Sequence, residues 1–543
     1  MPTASPQDER FAALADAYFT QALQLNPVEA TAAGLHDYDA QLGDFSPAGF
    51  AQRVALDRDT LAKLQSIDPS ALSPGVALDA TLLSDRINDD LLTNVTLSRW
   101  RHDPDGYVRE AVDAILGLTG RDYAPLRTRF GYAIARERQI PAMLSDAQSN
   151  LVSVDAVTRD IASEDAGGAA ELFRTELPQA FAAVKDVALQ RQFALANAAA
   201  VKAMAGYARW IEARKPGGTF AIGPDAYRKR LIYEDALNLP LDRYLAYGTS
   251  ALARTRARFV AVAKQIDPKA TPLQVYLSIT KARPARSASL AQAAGDLAKL
   301  RSFVIAKHVV TLPPGATVAV VEAPAFGLAS DGVSEDSPGP LESVATQSYL
   351  RLTPAYLADF DDAGFSIVAA REVYPGRFTN LAIDRGLDLS LTRKLSASSE
   401  FAEGWAQYAV QTILEEGWGK GDPRVRLVQL DAALLRECRY VAGVKLHTAG
   451  MTIAQARRLF ADECFQAPQV AQQEALRGTQ DPMYGSATLG TLMILKLRAD
   501  YKKKLGAAFT LEKFHDELLS RGDPPIPLLR PFVLGADDDG RPL

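Results

Sequence analysis

Residues 7–310 carry one pattern almost without interruption. Long stretches rich in Ala, Leu, Arg, Glu and Gln place apolar residues at three- and four-residue spacing, as in Phe11, Leu14, Ala15, Tyr18, Ala22 and Leu25. A period near 3.6 gathers such residues on one face of a helix, whereas a strand, with its period of two, would scatter them over both faces. The first part of the chain is therefore expected to be an α-helical assembly. Asp68-Pro69, Asp103-Pro104-Asp105-Gly106, Lys215-Pro216-Gly217-Gly218 and Asp267-Pro268 read as turns between helices. No unit of 20–50 residues recurs, which argues against a solenoid.

The pattern changes at Pro313-Pro314-Gly315. Thr317–Glu322 and Thr346–Thr353 are β-branched or alternating runs that suit strands, with a polar Gly/Pro/Ser loop, Asp331–Pro340, between them. Residues 355–372 return to helical character, and Ser398 to about Leu518 is again almost wholly helical. The expectation is a mostly-α protein in which 1–310 form an N-terminal helical region and 311–543 carry a small β-sheet, the two joined as one structural unit.

Composition removes several classes of function. The 543 residues contain 60 Lys+Arg against 65 Asp+Glu, a net charge of −5, with no basic run, so a phosphate backbone meets no electrostatic footprint and nucleic acid is not an expected partner. No stretch reaches the roughly 18 apolar residues that a membrane span requires. Met1–Pro6 lacks the basic and apolar segments of a signal peptide, so the opening reads as cytoplasmic or trimmed. Cys438 and Cys464 are too few for a four-cysteine zinc site or a disulfide framework and are expected to be core thiols.

The histidines His36, His102, His308, His447 and His515 include no i, i+4 pair and no His-Glu-x-x-His motif. There is no Gly-x-Ser-x-Gly elbow, and Ser278-Ile279-Thr280-Lys281 matches Ser-x-x-Lys as any long chain will. More informative are Arg371-Glu372-Val373-Tyr374-Pro375-Gly376-Arg377-Phe378 and Glu400-Phe401-Ala402-Glu403-Gly404-Trp405-Ala406-Gln407-Tyr408. These segments resemble the paired signatures of the DUF885 family, bacterial proteins similar to gluzincin metallopeptidases, in which His-Glu-x-x-Pro-Gly-His precedes a Glu-Gly-Trp-Ala helix. The resemblance continues in Asn26–Thr31, Gly34–Asp39, Gly223–Leu231, Arg436–His447, Arg477–Pro482, Leu489-Gly490 and Phe514-His515-Asp516. It implies a gluzincin-peptidase-like fold, with the small sheet beside a deep cleft.

This chain departs from the pattern where the chemistry would lie. The family's two zinc-binding histidines correspond to Arg371 and Arg377, its third ligand to Glu403 and its general base to Glu372. A guanidinium stays protonated and offers donors but no lone pair, so it repels a divalent cation. Ala487 stands where the resemblance implies a tyrosine that would stabilise an oxyanion, and Val410 where it implies a glutamate. Neither a metal nor any other cofactor is expected.

Two functional readings follow. In the first, a metal-independent hydrolase or acid–base catalyst acts on a small carboxylate or peptide-like substrate. Glu372 is its base, Glu403 an orienting group, and Arg371 and Arg377 bind anionic groups. His447 and Tyr374 are further catalytic candidates, and Arg439 and Tyr484 further substrate-binding ones. In the second, Arg371–Glu403 and Arg377–Glu372 neutralise each other, and a pseudopeptidase binds peptides or anions without catalysis. Complete internal pairing of the four charges favours the second. Tyr408 is a possible donor to substrate, Trp405 reads as core, and the Thr346–Thr353 strand is expected to offer its edge to a peptide. By analogy with the family's exported members the compartment is expected to be the periplasm or exterior, with the cytoplasm as the alternative.

Overall fold

A computed structural model describes residues 5–281, 290–323, 332–344, 347–358 and 360–543, with the side chains of Thr280 and Lys281 also left out. Asp331, Thr346 and the side chains that end the Ser278–Lys281 tetrapeptide thus lie outside what is described. The rest is mostly helical, and the helix starts are written in the sequence. Ser5 and Asp8 form a reciprocal capping box ahead of Pro6–Leu25. Asp103 caps Pro104–Thr119 by accepting the Gly106 N–H at 3.1 Å. The segment Asp103–Gly106 is thus the first turn of a helix, because proline at the first helical position has no N–H to waste. Asp68-Pro69 likewise opens a 3₁₀ turn, Pro69–Ala71, whereas 215–218 and 267–268 do lie between helices.

Three strands, β1 (Val318–Glu322), β2 (Val333–Asp336) and β3 (Ser348–Leu352), form a sheet in the order β1-β3-β2. β1 runs parallel to β3 with Val320 beside Leu350, and β2 runs antiparallel to it with Glu335 beside Leu350. Two expectations are corrected here. The Asp331–Pro340 loop contains β2, a strand held by cross-strand pairing despite its polar sequence. β3 is the central strand, bonded on both sides, so it has no edge to offer a peptide; β2 pairs only with β3 among the described residues.

The largest apolar core includes Tyr227, Leu300, Leu350, Trp405, Leu489 and Leu529, so it runs across residue 310. A second core, from Val28 to Ile211, lies within the N-terminal helices. The helices Ser399–Glu415 and Ser486–Leu505 cross at Gly404 and Gly490. A Cβ on Gly404 would stand 2.5 Å from the Cα of Gly490, and one on Gly490 would stand 2.0 Å from the Glu400 carbonyl oxygen. Only glycine permits this approach.

Cys438 and Cys464 form a disulfide, with Cα atoms 6.4 Å apart. This corrects the reading of core thiols: the helix Pro423–Thr448 and the turn after Leu459–Glu463 pack in one apolar cluster that brings both residues together. Among the described residues, no helix is long and apolar enough to cross a membrane.

Candidate functional site

The helix Asp362–Glu372 starts on an Asp361 cap and ends at Arg371-Glu372. A tight turn then begins the helix Arg377–Gly386. At Gly376 a Cβ would lie 1.9 Å from the Arg371 carbonyl oxygen, so the turn closes only with glycine. Trp405 is fully buried and donates its indole N–H to the carbonyls of Pro375 and Gly376 at 2.9 and 3.2 Å. Because Trp405 follows Glu403 by two residues on the helix Ser399–Glu415, this clamp fixes Glu403 against both arginines.

The result is a ring of four charges. Arg371 bonds both Glu372 and Glu403, and Arg377 bonds Glu403 and lies with its Nε 3.4 Å from Glu372. The four side chains are 13–29% exposed, so the ring is shielded but reachable from solvent. Burial pushes the Glu403 carboxyl up, but Arg371 and Arg377 outweigh it and hold the group at about 2. Glu403 is thus ionised at every physiological pH.

Two residues that sequence reasoning missed face this ring. Arg436, on the helix Pro423–Thr448, donates to the Ala432 carbonyl at 2.7 Å, while its buried Nε–H has no partner. No carboxylate pairs with it among the described residues. Burial, followed by repulsion from Arg371 and Arg439, brings its guanidinium down to about 9. Glu335 comes from β2. Burial raises its carboxyl to about 7, and the charges of Arg377 and Glu372 act on it. Arg436 was visible in Arg436-Glu437-Cys438-Arg439, but nothing local separates it from Arg439 one turn later. The difference is tertiary, because Arg439 is bidentate to Glu474 at 2.7 and 2.6 Å.

The remaining candidates bond to groups outside the ring, except Tyr484, whose buried hydroxyl has no partner among the described residues. His447 is buried. Its Nε2–H donates to the Gly478 carbonyl at 2.8 Å, and its Nδ1 accepts the Ile222 N–H at 3.4 Å. Burial lowers it to about 4, and its cationic neighbours are Arg99 and Arg230. Tyr374 is buried and donates to the Ala316 carbonyl at 3.4 Å. Tyr484 is buried against Gly443 and Gly478, beside the Arg439–Glu474 pair. Tyr408 donates to His515 Nε2 at 2.8 Å, while His515 Nδ1–H donates to the Val309 carbonyl at 2.6 Å.

These residues do not fit a zinc ion. Both ring carboxylates are taken by guanidinia, which bring no lone pair. Among the described residues, no cluster of three or more His, Cys, Asp or Glu could hold a metal.

No curated protein matches the chain. Solved structures do, and two of them are similar over nearly the whole chain. A "putative lipoprotein of unknown function" from Shewanella oneidensis is 24% identical, with a TM-score of 0.79 over 96% of this chain and 99% of its own. A "putative lipoprotein" from Colwellia psychrerythraea is 19% identical, with a TM-score of 0.74 over 97% and 99%. At these identities the likeness shows the fold. The family model described as bacterial protein of unknown function (DUF885) matches residues 27–533, and the chain belongs to that family.

Proposed function

We propose that the protein is a pseudopeptidase that binds a peptide-like or small anionic ligand through the carboxylate, with Arg436 as the receptor. One observation carries this reading: Arg371 and Arg377 are ion-paired with Glu372 and Glu403, while Arg436 is ion-paired with no carboxylate among the described residues. Arg371, Arg377 and Arg436 stand against Glu372, Glu403 and a Glu335 carboxyl that at about 7 is only partly ionised near neutrality, so a partly dehydrated site keeps positive charge that a ligand carboxylate would neutralise by a charge-assisted bond. The test is calorimetric titration of the full chain with N-acetyl-alanyl-alanine and with its C-terminal amide. The carboxylate binds saturably, and both the amide and the R436A variant bind about tenfold or more weakly. Equal binding of acid and amide overturns the proposal.

A second reading draws on Glu335. A carboxyl at about 7 beside a charged ring has the value a general acid needs near neutrality. Here a metal-independent hydrolase would use Glu372 as base, with Arg371 and Arg377 binding substrate anions and Glu403 orienting them. Hydrolysis of blocked dipeptides that survives chelators and is lost in E335Q and E372Q would establish it.

The compartment we infer is outside the cytoplasm. Structural disulfides persist in oxidising compartments, and Cys438–Cys464 is one. The two structural neighbours, named as lipoproteins, agree.

A further inference from the structure

Away from the ring, a concavity of about 670 Å³ opens between the N-terminal helices and the turn that ends the helix Pro468–Gln480. This volume falls in the range of small-molecule sites, and none of the ring residues lines it. Gln480 ties its two sides together. The Gln480 carbonyl accepts from Arg99 at 3.4 Å, and its side-chain N–H donates to Asp105 at 3.0 Å.

One wall is aromatic. Phe50 stacks on Trp100 with ring centroids 4.6 Å apart, and the Trp100 indole N–H is held by the Asn94 carbonyl at 3.1 Å. Most of the charge around the cavity is already satisfied. Arg99 bonds Asp103 at 2.8 Å, Arg109 bonds Asp103 and Asp105, and Arg230 bonds Glu234 at 2.6 Å and Thr93 at 2.8 Å.

Three charges are not. Glu110 lines the cavity and makes no side-chain hydrogen bond or ion pair among the described residues. Arg477 is exposed and makes no side-chain hydrogen bond or ion pair among the described residues. Asp481, four residues on, accepts the Met483 N–H at 3.0 Å and forms no ion pair among the described residues. The buried Nε–H of Arg230, also in the lining, has no partner. The cavity therefore presents one unpaired cation, Arg477, two unpaired carboxyl groups, Asp481 and Glu110, and a spare donor beside an aromatic wall.

We infer that this cavity binds an aromatic α-amino acid. Arg477 takes the carboxylate, Asp481 takes the ammonium group, and the ring lies against Phe50 and Trp100. A guanidinium and a carboxylate four residues apart on one helix end match the two charges of such a zwitterion, which neither an aromatic acid nor an aromatic amine supplies alone.

The test is calorimetric titration of the full chain with L-phenylalanine, phenylacetate and phenethylamine. L-Phenylalanine binds saturably, and each truncated analogue binds about tenfold more weakly. R477A weakens phenylalanine and phenylacetate but leaves phenethylamine unchanged, and D481N does the converse. Both residues are exposed, so these variants keep the fold, which a thermal melt verifies. No saturable binding of phenylalanine, equal binding of the three probes, or unchanged binding in both variants overturns the inference.

Discussion

Trp405 donates one indole N–H to two carbonyls, those of Pro375 and Gly376, and thereby ties the turn carrying Arg371 and Arg377 to the helix carrying Glu403. Phenylalanine at this position removes the donor, strands the buried Pro375 carbonyl and leaves a void, while the Gly376 carbonyl still accepts the Asn380 N–H at 3.2 Å. The W405F variant should lose about 2–4 kcal/mol of stability, read as a lower urea midpoint.

Within the ring, the E403Q change leaves Arg371 and Arg377 to share Glu372. The side chains are partly exposed, so the cost should be about 1–3 kcal/mol, below that of a fully buried pair. The Glu403 carboxyl lies at about 2 in the fold against 4.5 ordinarily. A depressed value gives stability that is present above pH 4.5 and lost as the pH falls toward 2. Denaturant unfolding across that window should show the wild type converging on E403Q at the acid end.

How far these features could be read from sequence differs residue by residue. Helix periodicity is local, so the helical body was legible, whereas Asp103–Gly106 read as a turn because a capping Asp-Pro start and a turn share the same residues. The meeting of Arg371, Glu372, Arg377 and Glu403 was legible through the resemblance of two segments. Glu335 was not, because Val333–Asp336 is polar and becomes a strand only by pairing with β3. Arg436 and Arg439 differ only in what Glu474 reaches. The pairing of Cys438 with Cys464 depends on a 6.4 Å approach that composition does not encode.

His36 joins the N-terminal body to the loop before β3, with Asp39 at 3.1 Å and Glu342 at 3.0 Å, and stacks on Tyr123 at 3.5 Å. Burial opposes the charged imidazole, but the two carboxylates outweigh it and raise its value above 6.5. A raised value gives stability that is full below pH 6.5 and lost as the pH rises through the folded value. The stability gap between wild type and H36Q should be widest below pH 6.5 and should narrow above it.

The disulfide closes a loop of 26 residues in sequence separation. Chain-entropy reasoning gives it about 3 kcal/mol, so C438A/C464A should unfold at lower denaturant. The same shift should follow reduction of the wild type, and reductant should leave the variant unchanged.

The central claim is that Arg371 and Arg377 have taken the carboxylates that a metal would need. Elemental analysis of the full chain after incubation with zinc, manganese and iron, followed by desalting, tests it most directly. The account predicts metal far below one equivalent in the wild type. Near-stoichiometric metal that is lost in E372Q or E403Q would contradict it.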